Sequence, residues 1–247
     1  MSKSPKETKK ALNFSAIVPA RAVDEIESQI RSMIANGNLR PGDKLPSERD
    51  LAVQLNVSRN TLRESLRSLE YAGVIEMKKG GTGGAYILPG SSSAIIRGVS
   101  DLYHLGAITP EQLTEARIWL SEIIVRVVCE RATEEDLVNL EENIEGTKQA
   151  QEAGLFEERQ RLNREFHLIL AKITRNPVMI SMMEAIMEVT GYFIKEIGPR
   201  DNPYTLPSRN RLLAYLRKRD VENSVKEIST YLGKLQSTYL EHWAKTR

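Results

Sequence analysis

The chain has 247 residues, enough for two domains that each bury a core, and its 40% hydrophobic and 28% charged content fits a globular protein. No apolar run approaches the roughly 20 residues of a membrane span, and no apolar stretch follows the basic start as a secretory signal would require. A single cysteine, Cys129, excludes an internal disulfide framework and a multi-cysteine zinc site, and its apolar helical surroundings read as those of an inert buried thiol.

The net charge of +2 conceals an asymmetry. Residues 1–90 carry 14 Lys and Arg against 10 Asp and Glu, and residues 91–247 carry 21 against 23, so the cationic excess and an expected anionic partner lie in the N-terminal third. Residues 1–19 read as a flexible basic arm. From Arg21 to Asn36, Val23, Ile26, Ile30, Met33 and Ile34 repeat at the three-four spacing of an amphipathic helix that Gly37 ends. Lys44-Leu45 is a short strand candidate. Pro46-Ser47-Glu48-Arg49-Asp50 opens a second helix, with Ser47 and Asp50 spaced as a capping box. Asn56-Val57 turns the chain into a third helix, capped by Ser58 and running from Arg59 to Ala72. Leu62, Leu66 and Leu69 share one side of it, and Arg59, Arg63 and Arg67 another. Val74 to Lys79 and Ala85 to Leu88 read as strands around a glycine-rich tip, a hairpin wing after a helix-turn-helix. This organisation predicts a winged helix-turn-helix over residues 20–88.

Pro89-Gly90-Ser91-Ser92-Ser93 marks a boundary, and residues 89–97 read as a linker. Beyond it, helical periodicity fills 110–132, 133–153, 156–174, 177–197, 206–218 and 220–244, with breaks at Gly154, Asn176-Pro177 and Gly198-Pro199. The fold class is therefore mainly α: the winged helix-turn-helix, then an all-α bundle of six or seven helices over 98–247.

The third helix carries the side chains suited to reading DNA. Arginine can pair bidentately with guanine, asparagine with adenine, and hydroxyls suit phosphates, and Ser58, Arg59, Asn60, Thr61 and Arg63 supply all three types at the end that enters a major groove. Lys78-Lys79-Gly80-Gly81 lies where a wing would meet the minor groove or its phosphates. Arg49 can pair with Glu48 or Asp50. No nucleophile with a base at motif spacing and no phosphate-cradling loop is present, so an enzyme is not expected.

The run Leu45-Pro46-Ser47-Glu48-Arg49-Asp50-Leu51-Ala52, then Val57 to Leu66 and Leu69-Glu70-Tyr71-Ala72-Gly73-Val74-Ile75, resembles the signature of the GntR family of transcription regulators. The resemblance implies DNA contacts by Arg49, Ser58, Arg59, Asn60, Thr61 and Arg63, with a wing contact by Lys79 and Gly80. Thr114 to Glu122, Asn163-Arg164-Glu165-Phe166-His167 and Asn176-Pro177 resemble the FCD effector domain of the FadR subfamily. That likeness implies a homodimer in the cytoplasm, associated with the nucleoid when bound to a palindromic operator. It implies a repressor of a metabolic or catabolic operon, released by a small anionic effector of carboxylate or acyl-CoA type. A constitutive DNA-binding dimer that senses no ligand is the alternative.

Many such domains hold a divalent metal with one Asp and three His. The corresponding positions here are Asn163, His167, Arg209 and Tyr231, so no metal cofactor is expected. Arg209 is expected to take an anion in the metal's place, with Arg117 as a second clamp and Asn163, His167 and Tyr231 beside them. Arg117 can instead pair with Glu115 or Glu122, His167 can be a satisfied core histidine, and Arg209 can be solvated.

Overall fold

The computed structural model describes residues 20–80, 83–198 and 202–246, and divides into two compact units at Gly90 and Ser91. The arm expected over residues 1–19 lies outside the described residues, as do Gly81 and Thr82 of the wing tip.

The first unit packs α1 (Ala20–Ala35), α2 (Glu48–Gln54) and α3 (Arg59–Tyr71) with the antiparallel pair β1 (Ile75–Lys78) and β2 (Gly84–Ile87), in register Ile75 to Ile87 and Lys78 to Gly84. The apolar stripes meet in one core of Ile26, Ile30, Leu45, Leu51, Leu62, Leu66, Leu69, Ile75 and Ile87. Lys44 forms only an isolated bridge to Tyr86, so the strand candidate at Lys44-Leu45 adds a contact to the hairpin without forming a strand. The Ser47 cap is present, its hydroxyl accepting from the Asp50 amide at 3.2 Å, but the reciprocal half of the expected box is not. The Asp50 carboxylate takes the Ser47 hydroxyl instead, at 2.7 Å.

The second unit has seven helices among the described residues: α4 (Ser93–His104), α5 (Pro110–Arg131), α6 (Glu134–Glu152), α7 (Phe156–Ile173), α8 (Pro177–Ile197), α9 (Thr205–Arg217) and α10 (Val221–Thr246). Thr109 and Thr133 each close a capping box, before α5 and α6, and Asn176 caps α8 with Pro177 in its first turn. α4 corrects the linker expected over 89–97. Its helix starts at Ser93, because the serines that resemble a flexible tether sit at a helix entrance and Ile95, Ile96 and Val99 follow with apolar side chains.

α8 is long enough and, with a mean hydropathy of 1.2, apolar enough to cross a bilayer by length and composition, although Glu184 and Glu188 interrupt its apolar runs. Its Met183, Ala185, Met187, Val189, Phe193 and Ile197 are nevertheless buried, and it packs on α4, α7 and α5, as the core helix of a bundle does. Around it, Ile124, Val128, Leu140, Phe166, Leu170, Leu212, Leu216 and Ile228 join the core of this unit. Cys129 is buried there, and burial raises its thiol pKa, which leaves it protonated and unreactive.

Candidate functional sites: a DNA-reading helix and an arginine-lined cavity

In the first unit the buried leucines of α3 fix the opposite face outward. Ser58 spends its side chain on the helix: its Oγ accepts from the Thr61 amide at 3.1 Å and lies 2.8 Å from the Thr61 hydroxyl. These two residues set the entrance of α3, and the hydroxyl proton that their mutual bond does not use meets no partner among the described residues. Arg59 and Asn60, in the first turn, are exposed, and among the described residues their side chains make no hydrogen bond or ion pair. Arg63 is exposed too but tied: its Nε donates to Glu48 of α2 at 2.7 Å, a bond between the two helices of the motif. Arg49 is exposed, and the bonds of its two expected partners run elsewhere, Glu48 to Arg63 and Asp50 to Ser47.

On the wing, Lys78 lies 3.6 Å from Glu76 and 4.9 Å over the Tyr86 ring, and Lys79 is exposed. The tip depends on glycine. Gly80 adopts a φ of +105°, which L side chains rarely tolerate, and a Cβ on Gly83 would lie 2.6 Å from the Lys78 carbonyl oxygen.

In the second unit, five sequence-selected residues converge on one cavity of about 560 Å³: Arg117 from α5, Asn163 and His167 from α7, Arg209 from α9 and Tyr231 from α10. Arg117 is 6% exposed, and His167 and Arg209 are each 2% exposed. Arg117 Nη2 lies 2.9 Å from His167 Nε2, so the imidazole accepts there. Burial, reinforced by the charges of Arg117 and Arg209, holds His167 well below its ordinary pKa, and the ring is neutral with its proton on Nδ1. Nδ1 itself has no protein partner, nor have Arg117 Nε, Arg209 Nε and Asn163 Oδ1.

Arg209 donates through Nη1 to Thr147 Oγ1 at 3.1 Å and through Nη2 to the Asn163 carbonyl at 3.3 Å, with its guanidinium 4.2 Å from the Phe166 ring centre. Burial lowers its pKa to about 10 and also lowers that of Arg117, yet both remain cationic at neutral pH. Tyr231 exchanges a hydrogen bond with Thr205 at 3.0 Å, and burial pushes Tyr239 up to about 12. Neither arginine meets a carboxylate. Glu157, the one acid on the lining, is exposed at the start of α7; the side-chain bond of Arg117 goes to His167 rather than to Glu115 or Glu122, and Arg209 is buried rather than solvated.

Sequence reasoning missed Thr147, Phe166 and Tyr239. Thr147 also donates to Asn143 one turn earlier in α6, which from sequence is indistinguishable from an ordinary helical threonine.

Residues 22–86 match the profile described as bacterial regulatory proteins, gntR family, and residues 112–234 match the FCD domain. The chain is 30% identical over 196 residues to YcbG of Bacillus subtilis, named an uncharacterized HTH-type transcriptional regulator, covering 79% of this chain and 80% of that one. It is 30% identical over 168 residues to the Uxu operon regulator of Haemophilus influenzae, covering 68% of this chain and 60% of that one. It is 25% identical over 246 residues to the HTH-type transcriptional repressor NanR of Salmonella newport, covering 96% and 92%. Among solved structures, Streptococcus agalactiae GntR shares the fold with a TM-score of 0.64 at 24% identity, over 87% of this chain and 99% of that chain. The chain belongs to the GntR family of bacterial transcription regulators, in the FadR subfamily that carries an FCD domain.

Proposed function

We propose that the protein represses a catabolic operon by binding a palindromic operator as a homodimer in the cytoplasm, and that an organic anion entering the cavity of the second unit releases it. The observation that carries the effector reading is the pair of buried guanidiniums without a carboxylate. Two desolvated charges are costly unless paired, and a ligand anion is the partner the cavity leaves room for. A single winged helix offers few base contacts, which favours two half-sites and hence a dimer. The repressor and catabolic assignments follow the printed names of NanR and the Uxu operon regulator.

The residues at the positions of the family's metal do not fit a divalent cation. Arg209 has no lone pair, the Nε2 lone pair of His167 is engaged by Arg117, and the remaining Asn163 amide and Tyr231 phenol are weak donors beside two positive charges. The anion is therefore taken by guanidinium forks without metal. Arg59 and Asn60 read bases, Arg49 and Lys79 hold phosphates, and Arg63 serves once it leaves or shares Glu48. The effector can act only by favouring one arrangement of the dimer over the other.

Retention of operator fragments by the full chain, with and without organic acids and with EDTA throughout, tests this reading. Release by an acid in the presence of EDTA is expected. Release that EDTA abolishes overturns the metal-free site, and operator binding indifferent to every acid supports the constitutive alternative.

A further inference from the structure

The charge of the cavity specifies the ligand further than its sign. Arg117 and Arg209 together place two positive charges on the inner wall. Beside them Thr147, Asn163 and Thr205 carry no charge and burial keeps His167 and Tyr239 neutral, while the other charged side chains of the lining, Arg159, Arg161, Arg164, Lys195 and Glu157, are exposed or half-buried rather than buried. A bound monoanion would leave one guanidinium uncompensated in a desolvated site.

The two cations also face one cavity and are anchored on the same turn of α7, Arg117 on the side chain of His167 and Arg209 on the carbonyl of Asn163. Both Nε atoms lack a protein partner, and Nδ1 of His167 is a third donor without one.

We propose that the effector carries a doubly negative head group, seated between Arg117 and Arg209. A phosphate monoester and a dicarboxylate with closely spaced carboxylates both have this chemistry. The cavity leaves room beyond the head, past Phe156, Met187 and Ile194, for an organic body. The inference rests on the effector reading above.

Its test uses probes that differ by one charge and little else. The full chain is titrated calorimetrically at pH 8, constant ionic strength and with EDTA present, with methyl phosphate against dimethyl phosphate and malonate against its monomethyl ester. In at least one pair the dianion is expected to bind tenfold or more tightly than the monoanion. The stronger pair identifies phosphoryl or dicarboxylate chemistry. Arg209→Met, which keeps length and packing but removes one charge, is expected to bring that ratio within about twofold. Equal binding of dianion and monoanion overturns the dianion while leaving an anionic effector in place. Binding of none of the four, in a chain that also ignores larger acids, overturns the effector reading itself. A dianion preference unchanged in Arg209→Met overturns the seat between the two arginines.

Discussion

Replacing Arg209 by methionine probes whether a charge is held in the bundle for a ligand or for the fold. The guanidinium is 2% exposed, and its pKa, lowered from 12.5 to about 10, corresponds to a penalty on the charged form of about 3 kcal/mol at 1.36 kcal/mol per unit. Methionine relieves that penalty. It forfeits the bonds to Thr147 Oγ1 and the Asn163 carbonyl, worth about 1 kcal/mol each, and exchanges a cation over Phe166 for a sulfur contact of comparable size. Neither partner is stranded. Thr147 still donates to Asn143, and the Asn163 carbonyl lies within α7. The balance is a gain of about 1 kcal/mol for the ligand-free chain, or roughly 2–4 °C in the melting temperature of a unit this size. Differential scanning calorimetry of both proteins without organic acids checks it. A melting temperature lowered by more than about 2 °C would refute the reasoning, because it would make the arginine a structural strut whose bonds outweigh its desolvation.

Three further outcomes are expected. Arg59→Ala should weaken operator binding by about 1–3 kcal/mol and relax base preference at one position per half-site, while Lys79→Ala should weaken all sequences alike and flatten the salt dependence, both measured by fluorescence anisotropy. Because His167 stays neutral in the folded state well below the ordinary pKa of 6.5, the unfolded chain alone takes up this proton as pH falls through 6.5. Stability from this residue is complete above that pH and declines below it by up to about 1.4 kcal/mol per unit, and His167→Gln should remove that part of the slope in denaturant titrations at pH 7 and pH 5. Gly83→Ala should cost about 1–3 kcal/mol of local strain at the wing, since its Cβ meets backbone oxygens of Lys78 and Gly80 within 2.7 Å. Operator affinity should fall with the melting temperature of the second unit unchanged, and an unaltered affinity would remove the wing from the interface.

The DNA-reading unit was legible because its signals are local. A cap, a leucine stripe and a glycine tip each occupy a few consecutive residues, and together they located α3 and the hairpin to within a residue or two. What escaped there was the Arg63 to Glu48 bond, which spans 15 residues and joins two helices. In the second unit the helices were legible from periodicity, but the company their side chains keep was not. Arg117 had near neighbours in Glu115 and Glu122 along the chain, yet its partner is His167, 50 residues away. The cavity draws on α5 to α10, so no local pattern encodes the absence of a carboxylate beside two buried cations. The serines at the start of α4 carried too little apolar character to announce a helix.

That helix shortens the tether between the two units. From the end of β2 at Ile87 to the start of α4 at Ser93, only residues 88–92 intervene, and α4 is fastened along α8, with the His104 ring 5.3 Å from that of Tyr192. α8 in turn lends Met187, Gly191 and Ile194 to the cavity wall. If the proposed effector displaces that wall, α4 is the element of the second unit that would carry the displacement towards the five-residue connection. Lengthening residues 88–92 with glycines should act as a clutch, leaving anion binding and operator binding each intact while the one no longer drives the other.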